Sequence, residues 1–165
     1  GLLKSDTDKA EFYSVVNRML DNKMQDGRGQ AMQLISGIPL EDLPYVADRF
    51  IRNMQNKERT KFTYSAMRDV GAGAVIMARL QIGDGLDYLM DTFEEKTGKW
   101  GFKLRSGAKS LPAYGAYAQK YLEEIKALGD GKGMGNARKA IENATEVKEM
   151  MTWEEALKKA KGLTK

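Results

Sequence analysis

Apolar residues recur at intervals of three and four along nearly the whole chain, and no clean period-two stretch is bounded by turn residues. The pattern predicts helices throughout. Asp8 with Glu11 three residues on is a helix-start pattern, because the Asp oxygen can accept from free backbone N–H groups of the first turn. Phe12, Val15, Val16, Met19 and Leu20 follow as one face, and Gly27 and Gly29 close it. A short helix is expected from Arg28 to Ser36 with Ala31, Leu34 and Ile35 inward, and another from Leu40 to Gln55 with Leu43, Val46, Phe50 and Met54 on one side. Pro44 falls in the first turns of that helix, where its missing N–H matters little.

Thr60 to Gln81 reads as helix again, with Gly71 and Gly73 marking a kink or a close helix crossing. Leu86, Leu89, Met90 and Phe93 mark the next helix, and Trp100, Leu104 and Ala108 another that runs to Leu111-Pro112. Ala113 to Leu128 carries Tyr114, Tyr117, Ala118, Tyr121 and Ile125 in line. The glycine-rich run 129–135 reads as a flexible linker. Two short helices close the chain: one holds Ala137, Ala140 and Ile141, and the other opens on the capping box Thr152/Glu155 and ends at Gly162.

An aliphatic residue beside Pro or Gly separates paired helices at Ile38-Pro39, Ile82-Gly83 and Leu111-Pro112, breaks that lie 44 and 29 residues apart. Those spacings bracket the unit length of paired-helix solenoids without being regular. On these features the segments Arg28 to Asn56 and Lys99 to Leu128, the latter with Ser110-Leu111-Pro112-Ala113-Tyr114-Gly115 at its turn, resemble HEAT and armadillo-like helical repeats. The resemblance spans residues 28–128; the family's Asp and Arg ladder is not cleanly placed in every unit. It implies a scaffold or binding surface, and some such repeats are accessory modules of bacterial extracytoplasmic hydrolases. The expected fold is therefore all-α, an irregular α-α superhelix of paired antiparallel helices, with an irregular helical bundle as the alternative. Residues 1–165 are expected to form one helical domain, with a repeat-like core over 28–128, the linker, and a C-terminal helical appendage over 136–165.

Composition narrows the chemistry. The 165 residues suffice for one core, and no apolar run approaches the roughly 20 residues of a membrane helix. The chain has no cysteine and no histidine. Disulfides, thiolate metal sites, cysteine nucleophiles and every histidine-based triad are therefore ruled out. Catalysis would rest on carboxylates, lysines, tyrosines or a bound cofactor, and no cofactor or metal is implied. The chain starts at Gly1 without a methionine, which suggests an excised piece of a longer polypeptide or a leaderless mature form. With the resemblance, this favours an extracytoplasmic setting.

Several short patterns carry chemistry elsewhere. Ser106-Gly107-Ala108-Lys109 and Lys96-Thr97-Gly98 match motifs of serine β-lactamases, but in the wrong order and in a chain too short for that fold. The glycine run matches neither phosphate-loop spacing, and no predicted strand precedes it. Asp84, Asp87 and Asp91 share a helical face and read as a solvated acidic face, with Asp84 capping its helix. No pair of carboxylates is set to face across a cleft as glycoside hydrolysis requires.

The best electrostatic candidate is the stretch 99–139, with nine cations against three carboxylates, +6 within a chain of net charge +4. Lys99, Lys103, Arg105 and Lys109, with the neighbouring tyrosines Tyr114 and Tyr117, are the candidate binding residues. The expectation is a noncatalytic interaction domain for a protein partner or a neighbouring domain of the same chain. An anionic polymer could also use the basic stretch, while the modest net charge disfavours nucleic acid. The alternative is an accessory domain of a secreted bacterial carbohydrate- or ester-acting hydrolase.

Overall fold

The computed structural model of the chain describes residues 5–22, 25–55, 64–94 and 107–162. Eight α-helices lie among the described residues: α1 (Asp6–Leu20), α2 (Gln25–Ile35), α3 (Leu43–Gln55), α4 (Tyr64–Arg79), α5 (Asp84–Glu94), α6 (Leu122–Ala127), α7 (Met134–Glu142) and α8 (Trp153–Ala160). Three 3₁₀ segments, Leu40–Asp42, Leu111–Tyr121 and Gly131–Gly133, precede α3, α6 and α7. The chain is all-α: its helices pack on one another, and no strand occurs among the described residues. No helix among them is long and apolar enough to cross a membrane.

The ends of α1 and α2 differ from the sequence expectation. Ser5, not Asp8, caps α1: its hydroxyl accepts from the Asp8 N–H at 3.1 Å. Asp6 and Asp8 then sit in the first turn, where carboxylates meet the positive end of the helix dipole. α1 ends at Leu20, and Gly27 and Gly29 lie inside α2 instead of closing α1. Each glycine weakens a helix interior by about 0.5–1 kcal/mol relative to Ala. At Gly27 the absent side chain leaves room for the Asn22 amide.

The helices α2 and α4 run in the same direction, as do α1 and α3. Between α2 and α4, Arg28 meets Asp69, and Arg79 donates to the Ile38 carbonyl just beyond α2. Both pairs are 41 residues apart. Between α1 and α3, Asn17 Nδ2 donates to the Tyr45 carbonyl and Arg49 pairs with Asp21, each across 28 residues. From α5 onward, Tyr114 OH reaches the Ile82 carbonyl and Tyr121 OH donates to Asp87. Thus α1–α2 lies as one layer on α3–α4. Gly73 supplies the close crossing expected of the Gly71/Gly73 pair, since a methyl group there would collide with Met54.

One core runs through the described residues, from Tyr13 and Val16 to Trp153 and Ala156. Met134, Ala137 and Ile141 belong to it, together with buried residues of the span 28–128. The glycine-rich run makes a turn, with Gly129, Lys132 and Gly133 at φ of +80°, +59° and +86°. That turn sets α7 against Leu111–Tyr121, where Gln119 Nε2 donates to the Ile141 carbonyl at 2.9 Å. The single helix expected over Ala113 to Leu128 is instead broken at Gly115, whose φ of 52° and ψ of −133° are non-helical. The chain therefore winds as 3₁₀ turns before α6.

α8 opens on the expected capping box: Thr152 and Glu155 exchange hydrogen bonds of 3.1 and 3.0 Å. Gly162, at φ +71°, follows its last turn. The strap before α8 is pinned to the α4–α5 turn. Met151 N–H donates to the Gln81 carbonyl and Gly83 N–H to the Met151 carbonyl, at 2.7 and 2.8 Å. Asp84 does cap a helix, but not its own: its carboxylate accepts the Trp153 N–H at the start of α8, at 3.1 Å.

Candidate interaction surfaces

The basic and aromatic candidates part company. Lys99, Lys103 and Arg105 lie outside the described residues, as do Ser106 and the Lys96-Thr97-Gly98 motif. Lys109 is exposed. Tyr114 is only 3% exposed, so it cannot serve as an open ligand platform. Its hydroxyl donates to the Ala74 carbonyl at 2.7 Å, and a methyl group at Gly85 would collide with it. Burial pushes the Tyr114 phenol well above the ordinary tyrosine range, with Asp87 adding to the shift. Tyr114 is therefore a neutral packing residue. Its bulk fits beside α5 because that helix begins Asp84-Gly85.

Tyr117 is half-buried and stands 6.2 Å from Tyr114, ring to ring. Lys120 Nζ sits 4.5 Å over its ring and 5.2 Å from that of Tyr121, and it pairs with Asp87 at 3.4 Å. Burial opposes the charge on Lys120, but the Tyr117 hydroxyl and Asp87 outweigh it and raise the ammonium above its ordinary value. Tyr121 OH also donates to Asp87 at 2.5 Å. Asp87 thus serves tyrosine and lysine, and Asp84 serves α8. Among the described residues no group of three or more acidic side chains gathers as metal ligands.

Three cations of the stretch 99–139, Lys120, Lys126 and Arg138, are paired among the described residues. Lys126 pairs with Glu123, and Arg138 with Asp130 and Glu142. Glu123 and Asp130 already stand in the sequence count; Asp87 and Glu142 come from outside the stretch.

The sequence did not single out the groove between α2 and α4. It has a volume of about 360 Å³ and is lined by Met32, Gln33, Ser36, Ala72, Val75 and Ile76, with Gly29 and Asp69 at one end. On each helix these positions repeat at three- and four-residue steps, so both walls follow the helix axes. Met32 and Ile76 form a buried floor, and Val75 stands 40% exposed on the rim. Residues 29–40 and 70–78 contain no charged side chain, in a chain that is 30% charged. Asp69 is neutralised by Arg28 at 2.7 Å, with both side chains largely buried. The signal was present in the sequence as two charge-free runs 41 residues apart, but it emerges only once α2 and α4 are known to lie side by side.

The eight packed α-helices among the described residues place the chain in the all-α class. Comparison with protein-family models, with curated proteins and with solved structures returned no match to this chain.

Proposed function

We propose that this chain is a noncatalytic interaction module whose working surface is the α2–α4 groove. The observation that carries this is the groove's neutrality: charged residues are depleted at the centres of protein interfaces, and a furrow between two helices suits a helix or extended segment with an apolar face. The fold is, in this proposal, an irregular α-α superhelix of the HEAT-like kind. The shared direction of α2 and α4 supports it, as does their offset of 41 residues, which falls within the HEAT and armadillo unit length of roughly 40–47. The partner is a protein, or a neighbouring domain of the same polypeptide, that presents an uncharged apolar segment.

A photo-crosslinking residue placed at Ala72, on the groove wall, tests this in the cells that make the protein. One at Val147, which is 80% exposed and away from the groove, is the control. A specific protein adduct is expected from Ala72 and not from Val147, and Ala72→Glu is expected to lower partner affinity about tenfold or more while leaving helix content unchanged. No adduct above the Val147 background would overturn the proposal.

A further inference from the structure

The two exposed aliphatic residues of the first helix pair point the same way, and that way is not toward the groove. Val15 and Leu34 were both expected to face inward, yet they are 47% and 44% exposed. On α1 the side facing α3 carries Lys9, Tyr13 and Asn17, which bond to Asp42 and Tyr45. At 100° per residue, Val15 stands about 200° from both Tyr13 and Asn17 and so faces away from α3. On α2 the side facing α4 carries Arg28, Met32 and Ser36. Leu34 stands about 200° from both Met32 and Ser36 and faces away from α4. The α1–α2 layer therefore ends in an apolar face on the side that no other described helix covers. Phe12 and Met19, partly buried, flank Val15 on it.

The charges on this face are self-complementary. Glu11 and Arg18 are both exposed and lie either side of Val15, four residues before it and three after. Neither forms an ion pair with the described residues. Around Val15 the α1 stripe reads acid and aromatic on one side, base and methionine on the other. We propose that a second copy of this chain docks here about a two-fold axis, with α1 antiparallel to its counterpart and the axis passing near Val15. The symmetry sets Glu11 of each copy beside Arg18 of the other, and Phe12 beside the Arg18–Met19 end. Leu34 extends the apolar contact onto α2. Such an isologous contact needs one patch that matches itself, and this stripe does. Glu11 and Arg18 offset each other across the axis, and the exposed Asp8, seven residues before Val15 on the same side of α1, lies toward the end of the stripe, away from the axis.

Sedimentation equilibrium on the full chain across a concentration series tests this. A monomer–dimer equilibrium is expected. Val15→Arg should raise its dissociation constant about tenfold or more, since it places a charge at the centre of an apolar contact. Glu11→Arg and Arg18→Glu should each weaken the dimer several-fold, and the double reversal should restore it. All four variants alter exposed positions, so unchanged circular dichroism reports intact folding. Ala72→Glu should leave the dimer unchanged, which separates this face from the groove. A chain that stays monomeric throughout, a dimer indifferent to Val15→Arg, or a double reversal no better than the single ones would each overturn the proposal.

Discussion

Arg28→Met is expected to destabilise the protein by about 3–5 kcal/mol, because it leaves the largely buried Asp69 carboxylate without its cation. The Arg28 and Asp69 side chains are 7% and 13% exposed, so water cannot replace the guanidinium cheaply. Arg28 Nη1 also donates to the Asn22 carbonyl at 2.8 Å, and that bond to the α1–α2 turn goes with it. For a chain of this length the loss should lower Tm by on the order of 10 °C. Arg28→Met combined with Asp69→Leu should recover much of the stability, since apolar side chains often replace a buried ion pair at little net cost. Thermal or urea unfolding of the two singles and the double measures this coupling directly. If the Arg28 variant melts with the wild type, the pair does not join α2 to α4 in the way described.

Phe50→Ala is expected to cost a similar amount, about 3–5 kcal/mol, and to act at a distance along the chain. Phe50 on α3 is fully buried and stacks on Trp153 of α8, with ring centroids 5.9 Å apart and planes 20° from parallel. Removing the ring opens a cavity and withdraws the surface on which the C-terminal helix rests. Amide hydrogen exchange should therefore speed up across Trp153–Ala160 more than across α1, while Phe50→Leu should produce a smaller change at both. Exchange at Trp153–Ala160 unaffected by Phe50→Ala would show that α8 is held from elsewhere.

These two contacts also mark how far the sequence could be read. Wherever local chemistry decides the outcome, the sequence is explicit. The Thr152/Glu155 box opens α8, Leu43, Val46, Phe50 and Met54 line the buried side of α3, and the all-α class follows from periodicity alone. Gly27 and Gly29 misled because a glycine is read as a stop, whereas tertiary packing carries α2 through both. Gly115 misled in the opposite sense: it has neighbours spaced for a helix, yet its positive φ breaks the run.

Val15 and Leu34 fit the helical spacing of a buried face, and burial depends on which neighbours the fold provides. The candidate site was legible in pieces only. Tyr114 and Tyr117 are candidate binding residues by spacing, but their hydroxyls fit against Gly83 and Gly85, some 30 residues earlier, which no local pattern shows. The charge count over 99–139 leaves out Asp87 and Glu142, which the fold places beside Lys120 and Arg138. The groove needs two helices 41 residues apart, and no local pattern states that they are adjacent.

The groove exists because α2 and α4 lie side by side and run in one direction, and this can be measured. The chain has no cysteine, so nitroxide labels can be placed at chosen pairs without background. Gly29→Cys with Ala72→Cys, and Ser36→Cys with Arg79→Cys, each step seven residues along both helices. Electron–electron double resonance should return nearly equal, short distances for the two pairs. In helices running in opposite directions with one of these pairs side by side, the other would be offset by about 20 Å along the axis at a rise of 1.5 Å per residue; one distance clearly longer than the other would contradict the layered arrangement on which the groove rests.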